Sequence, residues 1–303
     1  MNEELVNPCR LCPRKCGARR LEGETGFCGA RDAVTAARAA LHFWEEPCIS
    51  GTRGSGAVFF SNCNLRCVFC QNDRISREGF GLEVSTEKLA QIFLSLASQG
   101  AHNINLVTAV HYLPWVAEAL KKARESGLII PAVYNSGGYE SAEILKAFRG
   151  TFDIYMPDLK YVSRELAASL SAAGDYPREA VAAIDEMLDQ TGPAVIDGEG
   201  IMKSGVLIRH LVLPGHTREA ISVLRLIRER WGNDVHVSLL NQYTPMPGIE
   251  QRCTDPNLSR RLTAREYDKV VNEAIRLGLE NVFIQEGSAS GADFIPEFDG
   301  EGI

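Results

Sequence analysis

The chain has 303 residues, 45% hydrophobic and 23% charged, with 32 lysines and arginines against 39 aspartates and glutamates. That is ample for a large core, and a net charge of −7 argues against wholesale nucleic-acid binding. No apolar run approaches the ~18 residues of a membrane helix, and the start Met1-Asn2-Glu3-Glu4 lacks a signal-peptide core, so a cytoplasmic protein without membrane or nucleic-acid partners is expected.

Nine cysteines are too sparse for a disulfide scaffold, and seven of them fall into two tight groups, which reads as metal or cluster ligation. The first group is Cys9, Cys12, Cys16 and Cys28, spaced C-x2-C-x3-C-x11-C among glycines. Four thiols suit structural zinc or a second iron–sulfur cluster, and a segment with so few apolar residues needs a metal to fold. The plain alternative is four free thiols on a disordered arm. Residues 31–54 read as a bridge: Ala33 to Ala40 is alanine-rich, and Glu45-Glu46-Pro47-Cys48-Ile49-Ser50-Gly51 is turn-like. Cys48 and Cys253 belong to no thiol motif and read as small buried apolar residues. The chain thus divides into a Cys-rich extension and bridge at 1–54 and a larger α/β region at 55–303.

The second cysteine group follows the apolar run Gly56-Ala57-Val58-Phe59-Phe60, which reads as a buried strand. Cys63, Cys67 and Cys70 then leave its end at C-x3-C-x2-C. Three thiolates can hold three irons of a cubane and leave the fourth iron open to a small ligand. A zinc loop would want a fourth protein ligand, and none stands near in sequence. Three unrelated buried cysteines are the remaining alternative.

From residue 56 strand and helix alternate. Strands are expected at 56–61, 103–108, 129–134, 152–156, 205–213, 235–240 and 281–285. Helical stripes fall on Leu89, Ile92, Phe93 and Leu96; on Val116, Ala119, Leu120 and Ala123 after Pro114; on Val223, Leu224, Ile227 and Trp231; and on Tyr267, Val270, Val271 and Ala274 behind a capping box from Thr263 to Glu266. Repeated βα units with apolar strands predict a parallel sheet with helices outside, and six or seven units predict a partial (β/α)6-type TIM barrel rather than a closed eightfold one. Ligands then sit at the C-terminal strand ends. Those ends carry Thr108 and His111, Asn135 and Ser136, Asp158 and Lys160, Arg209 and His210, Asn241 and Gln242, and Gln285 and Glu286.

The three-cysteine spacing, with Phe69 directly before the last cysteine, resembles the cluster loop of the radical S-adenosylmethionine (SAM) superfamily. Asn-Ser-Gly-Gly-Tyr at 135–139, Asp-Leu-Lys at 158–160 and Ile-Arg-x-x-Val-x-Pro-Gly at 208–215 resemble the signatures of the pyruvate formate-lyase activating enzyme group. The N-terminal cysteines, Glu-Glu-Pro-x-Ile-Ser-Gly and Asn-Gln-Tyr-Thr-Pro look more like a less-characterised, activating enzyme-like branch. The likeness covers about residues 7 to 250.

The resemblance implies a [4Fe-4S] cluster on Cys63, Cys67 and Cys70 with SAM on its open iron. An electron from a low-potential donor would cleave SAM to a 5′-deoxyadenosyl radical, which takes a hydrogen atom from the substrate. It also implies that Phe69 and Asn72 lie near the adenine or the cluster, and that Asn135, Ser136 and Asp158 form a SAM-side polar or cation-binding group. Lys160 and Arg209 would face the SAM carboxylate or sulfonium. Two positions depart from the group: Thr108 to His111 stand in place of a Gly-Gly-Glu-Pro motif, and Asn135 stands where the activating enzymes carry an acid. The substrate would be a glycine of a partner enzyme, or another peptide, or a small metabolite. A glycine loop needs a wide lateral opening; a metabolite needs a closed pocket with a charged anchor, such as His111, Arg209, His210 or Glu286. A zinc-stabilised, non-catalytic scaffold is the reading outside enzymology.

Overall fold

The computed structural model describes residues 3–285 and 296–303. Its centre is one mixed sheet. Strands β1 (Val34–His42), β2 (Ser55–Phe60), β3 (Leu82–Val84), β4 (Ile104–Val107), β5 (Ala132–Ser136), β6 (Ile154–Pro157), β7 (Val195–Ile196), β8 (Met202–Leu211), β9 (His236–Leu240) and β10 (Val282–Ile284) are ordered β10-β9-β8-β6-β5-β4-β2-β1-β3, with β7 paired to β8. Neighbours from β2 to β10 along that path are parallel. Every residue of β2, β4, β5 and β6 is buried, as strands covered on both faces must be. Among the described residues no pairing joins β10 to β1 or β3, so the barrel is partial and open on that side.

The expected helices form for the expected reasons. Thr86–Ser98 is capped by the Ser85 side chain and buries Leu89, Ile92, Phe93 and Leu96. Leu113–Glu125 has Pro114 in its first turn and buries Val116, Ala119, Leu120 and Ala123. Thr217–Arg230 turns Val223, Leu224 and Ile227 inward. Ala264–Arg276 starts with the Thr263–Glu266 capping box, closed in both directions.

Residues 34–42, expected within a bridge, form β1. It lies antiparallel to β2 and to β3 and belongs to the sheet, so the sheet runs across the expected boundary at residue 54. Alanine is a weak strand former, which hid the strand. Its small size is what the site requires: Ala36 and Ala39 are buried in the main core, and residues 298–301 lie against the strand. Gly300 donates to the Ala37 carbonyl at 3.0 Å, Ala39 donates to the Glu301 carbonyl at 2.8 Å, and Phe298 packs on Phe59.

The barrel interior has two layers. One is apolar: Cys48 and Ile49, on the short helix Pro47–Ser50, pack against Val133, Ile154, Met156 and Leu207. Cys48 is therefore the small buried residue that was expected, and Cys253 packs half-buried on the main core. The other layer is polar and contains Asn105, Asn135, Arg209 and Ser238.

One buried acid on the loop after β5 makes stability depend on pH. Glu140 accepts from the Tyr134 hydroxyl at 2.9 Å, and burial pushes its carboxyl up to about 7. Between the ordinary carboxylate value and about 7 the folded state holds a proton that the unfolded chain has lost. Stability should therefore fall as pH rises through that window, by about 3 kcal/mol in all, and level off above it. Denaturant unfolding from pH 4.5 to 8 measures this, and Glu140→Gln should remove most of the slope.

Candidate active site

The cysteine loop starts where β2 ends, and its backbone is strained. Asn62 and Arg66 have φ of 74° and 56°, and Thr108, at the end of the neighbouring strand β4, has φ of 62°. Left-handed φ is uncommon outside glycine, and more so for a β-branched residue. The strain is held by specific bonds. Asn62 donates to the Tyr112 hydroxyl at 3.0 Å, Asn64 donates to the Tyr139 carbonyl at 2.8 Å, and the Thr108 amide donates to the Asn135 carbonyl at 2.8 Å.

Each thiol on the loop accepts a hydrogen bond. The Leu65 amide donates to Cys63 Sγ at 3.4 Å, the Ser171 hydroxyl to Cys67 Sγ at 2.9 Å, and the Ser76 hydroxyl to Cys70 Sγ at 3.4 Å. Burial, and then the neighbouring sulfurs Cys67 and Cys63, push the Cys70 thiol up to about 12. Burial likewise raises Cys67, although Lys160 opposes it. Cys67 is buried, and Cys63 and Cys70 are half-buried. Cys67 and Cys70, held in the thiol form by burial, need an electron-poor centre to become thiolates, and three such sulfurs are the donor set of an iron–sulfur cubane. Among the described residues no three His, Cys, Asp or Glu side chains are placed to hold a metal ion. A cubane makes no such demand, because each cysteine binds a different iron.

Facing the thiols is a buried polar constellation. Asp158 accepts from Lys160 Nζ and, at 3.1 Å, from Arg209 Nε. Arg209 also donates to Asn135 Oδ1 at 2.6 Å and to Glu45 Oε2 at 3.3 Å. Burial would raise the Asp158 carboxyl, but Lys160 and Arg209 outweigh it and hold the group below the ordinary carboxylate value. Burial would also strip Lys160 of its proton, yet Asp158 and Cys67 keep it charged and raise it. The strand ends carrying these groups are joined by Tyr176. Its hydroxyl donates toward the Gly137 and Asp158 carbonyls at 2.9 and 2.8 Å and accepts from the Lys160 amide at 3.0 Å. Gly138 must be glycine there: its φ is 78°, and a Cβ would stand 2.0 Å from the Asp158 carbonyl oxygen.

The expected site residues thus separate. Asn135, Asp158, Lys160 and Arg209 converge, and Ser136 is buried beside them, its hydroxyl accepting from the Gly138 amide at 3.2 Å. Phe69 is buried 6.4 Å from the Tyr243 ring, and Asn72 precedes the short helix Asp73–Ser76. His111 and His210 are core residues. The first meets the Ser61 carbonyl at 2.8 Å and is driven down to about 3 by burial; the second meets the Leu159 carbonyl at 2.7 Å and is lowered by burial. Neither stands as the charged anchor suggested by its place at a strand end, since burial disfavours the imidazolium at both. Glu286 lies outside the described residues.

Residues that the sequence reading passed over complete the site. Glu45 and Glu46, expected in a turn, enter the polar layer of the barrel. Pro47 opens the helix behind them, and Ser50 ties the loop by accepting from the Glu45 amide and donating to the His42 carbonyl, both at 3.1 Å. Glu45 Oε1 accepts from Asn105 at 3.0 Å and from Asn135 at 3.3 Å. Beside them lies a cavity of about 290 Å³ whose lining includes Phe43, Trp44 and Phe283 together with Glu45, Glu46 and Arg209.

The N-terminal cysteines form a small segment docked on the back of the loop. Arg14 donates to the Asn64 carbonyl at 2.6 Å and stacks 3.5 Å above Phe27; Arg20, fully buried, donates to the His111 carbonyl. Cys9 and Cys28 are buried, Cys12 is half-buried and Cys16 is exposed. Burial, with a smaller push from Cys28 and Cys9, raises Cys12 to about 12.

Residues 57–227 match the profile of the Radical SAM superfamily, more than half of the chain, and the chain belongs to that superfamily. It is accordingly an enzyme family's iron–sulfur and SAM-binding fold, with SAM-dependent radical chemistry. An uncharacterised protein of Methanocaldococcus jannaschii is 27% identical over 288 residues, spanning 93% of this chain and 78% of that protein. A second from the same organism is 26% identical over 156 residues, 46% of this chain and 45% of that one. SuiB of Streptococcus suis, solved with its precursor peptide SuiA, superposes with a TM-score of 0.50 at 10% identity, over 74% of this chain and 46% of that chain, which is a likeness of fold alone. Among the described residues no helix is long and apolar enough to cross a membrane.

The hydrogen bonds to sulfur carry a measurable consequence. A donor favours the more negative, reduced cluster and so raises its potential. Ser171→Ala removes the shortest of the three. The cluster midpoint, read by spectroelectrochemistry, should fall by roughly 20–65 mV, the equivalent of one ordinary hydrogen bond for a one-electron couple.

Proposed function

We propose that this enzyme takes a hydrogen atom from a small molecule or a single side chain that enters the cavity beside Glu45, Glu46 and Arg209. Cys63, Cys67 and Cys70 hold the [4Fe-4S] cluster, and the cluster with SAM supplies a 5′-deoxyadenosyl radical when bound. Lys160 and Arg209, held charged by Asp158, face the SAM carboxylate, with Asn135 and Ser136 beside them. Phe69 and Asn72 border the cluster, and Thr108 stands where a SAM amino-group motif would be. The observation that carries the reading is the cavity itself: about 290 Å³, with buried charges at its floor, a size for a metabolite and not for a folded loop. The second reading, activation of a partner enzyme at a glycine, is supported by the Asn-Ser-Gly-Gly-Tyr, Asp-Leu-Lys and Ile-Arg-x-x-Val-x-Pro-Gly segments. Both need a low-potential electron donor.

The test is anaerobic reconstitution with iron and sulfide, reduction, and assay of 5′-deoxyadenosine. The wild type should release it, and Ala at Cys63, Cys67 or Cys70 should abolish it; turnover in any one of those variants would sink the assignment. In the same preparations Lys160→Met should weaken SAM binding about 10- to 150-fold, the loss of one charge-assisted hydrogen bond.

A second metal site, zinc or iron–sulfur, at Cys9, Cys12, Cys16 and Cys28 belongs to the same proposal; among the described residues these thiols are not gathered around one ion position, so zinc would require them to close on it. Its support is four thiols on one short docked segment with little apolar core of its own. A variant with Ala at Cys63, Cys67 and Cys70 together should still retain metal by elemental analysis. A folded, metal-free variant would count against it.

A further inference from the structure

We infer that the cavity recognises a primary alkylammonium group on the substrate, with Glu46 as its counter-ion and Phe43 and Trp44 along its aliphatic part. The inference rests on the reading that this cavity is the substrate's. Glu46 is 7% exposed, and its Oε2 has no hydrogen-bond partner among the described residues. Such an atom costs free energy unless a ligand completes it. Its neighbours do not. Arg209 is already committed to Asp158, Glu45 and Asn135. Ser238, which is neutral, and the Glu46 amide do bond to the Glu46 carboxylate, yet Oε2 is left without a partner of its own.

Charge points the same way. The linked group sets two bases, Lys160 and Arg209, against three acids, Asp158, Glu45 and Glu46, and burial raises both glutamates. Burial, and then the charge of Glu45, raise the Glu46 carboxyl although Arg209 opposes this, so a cation arriving in the cavity is what would keep it ionised. The walls suit the same ligand. Phe43 and Trp44 are 51% and 64% exposed although they are large and apolar. Aromatic faces attract ammonium groups and cover methylene chains. A single orphan oxygen fits a point-like ammonium better than the two-pronged guanidinium, which wants paired acceptors.

The cavity also reaches the chemistry. Arg209 borders it and grips Asp158 on the SAM side, and Gln71, next to Cys70, donates to the Gln242 carbonyl on its rim at 3.0 Å. A substrate anchored by its amine at Glu46 is thus placed against the cluster loop through groups already fixed in position.

The probe is n-pentylamine compared with 1-pentanol, titrated by calorimetry into the reconstituted protein with SAM present. The amine should bind about tenfold or more tightly than the alcohol, as expected for one charge-assisted hydrogen bond. Glu46→Gln should erase that preference, and Trp44→Ala should weaken both ligands. Equal binding of amine and alcohol to the wild type would overturn the inference, and this comparison needs no variant to fold. An amine preference that survives in folded Glu46→Gln would overturn it too. So would a loss of SAM affinity in that variant with the preference intact, which would give the carboxylate to the SAM ammonium instead. Failure of the radical reading is seen separately, as absence of 5′-deoxyadenosine from the wild type.

Discussion

Much of the site depends on the burial of one guanidinium. The Arg209 side chain is 17% exposed inside a barrel whose adjoining layer is apolar. A buried arginine is tolerable only when its fork is matched by acceptors. Here the acceptors come from β5, from the turn after β6 and from the loop before β2. Three distant parts of the chain are therefore pinned to one another by the need to satisfy a single side chain. Asp158, fixed by Arg209, in turn aims Lys160 toward the thiols.

The tyrosine behind that pair has a complementary effect. Tyr176 is itself fully buried, yet its hydroxyl serves three main-chain groups at once. It holds the turns after β5 and β6 together independently of any charge. The arrangement of Lys160 thus rests on both an ionic and a neutral support, and the neutral one is insensitive to salt.

The sequence made the repetitive parts legible. Helical stripes such as Leu89-Ile92-Phe93-Leu96 and the capping box at Thr263 are local, and local patterns survive folding. Strands such as Gly56 to Phe60 were apolar enough to be seen as buried. What was missed had no local signature. β1 is spelled in alanines, and its identity is decided by the space that residues 298–301 need beside it. Glu45 and Glu46 read as turn residues because the partners of Glu45, namely Asn105, Asn135 and Arg209, are 60 to 164 positions away. His111 and His210 misled in the opposite sense: a strand end placed them near the mouth, but the side chains point into carbonyl groups of the core.

The pairing of residues 298–301 with β1 has a bearing on how the chain reaches this shape. Arg38 and Glu297 are 259 positions apart, so their contact closes a very long loop and cannot help the early stages of folding. The parallel strands can assemble in order while β1 still has one bare edge. That edge leads directly into Phe43, Trp44 and the two acids of the cavity. The wall of the pocket therefore borders a seam that only a contact between the two far ends of the chain closes.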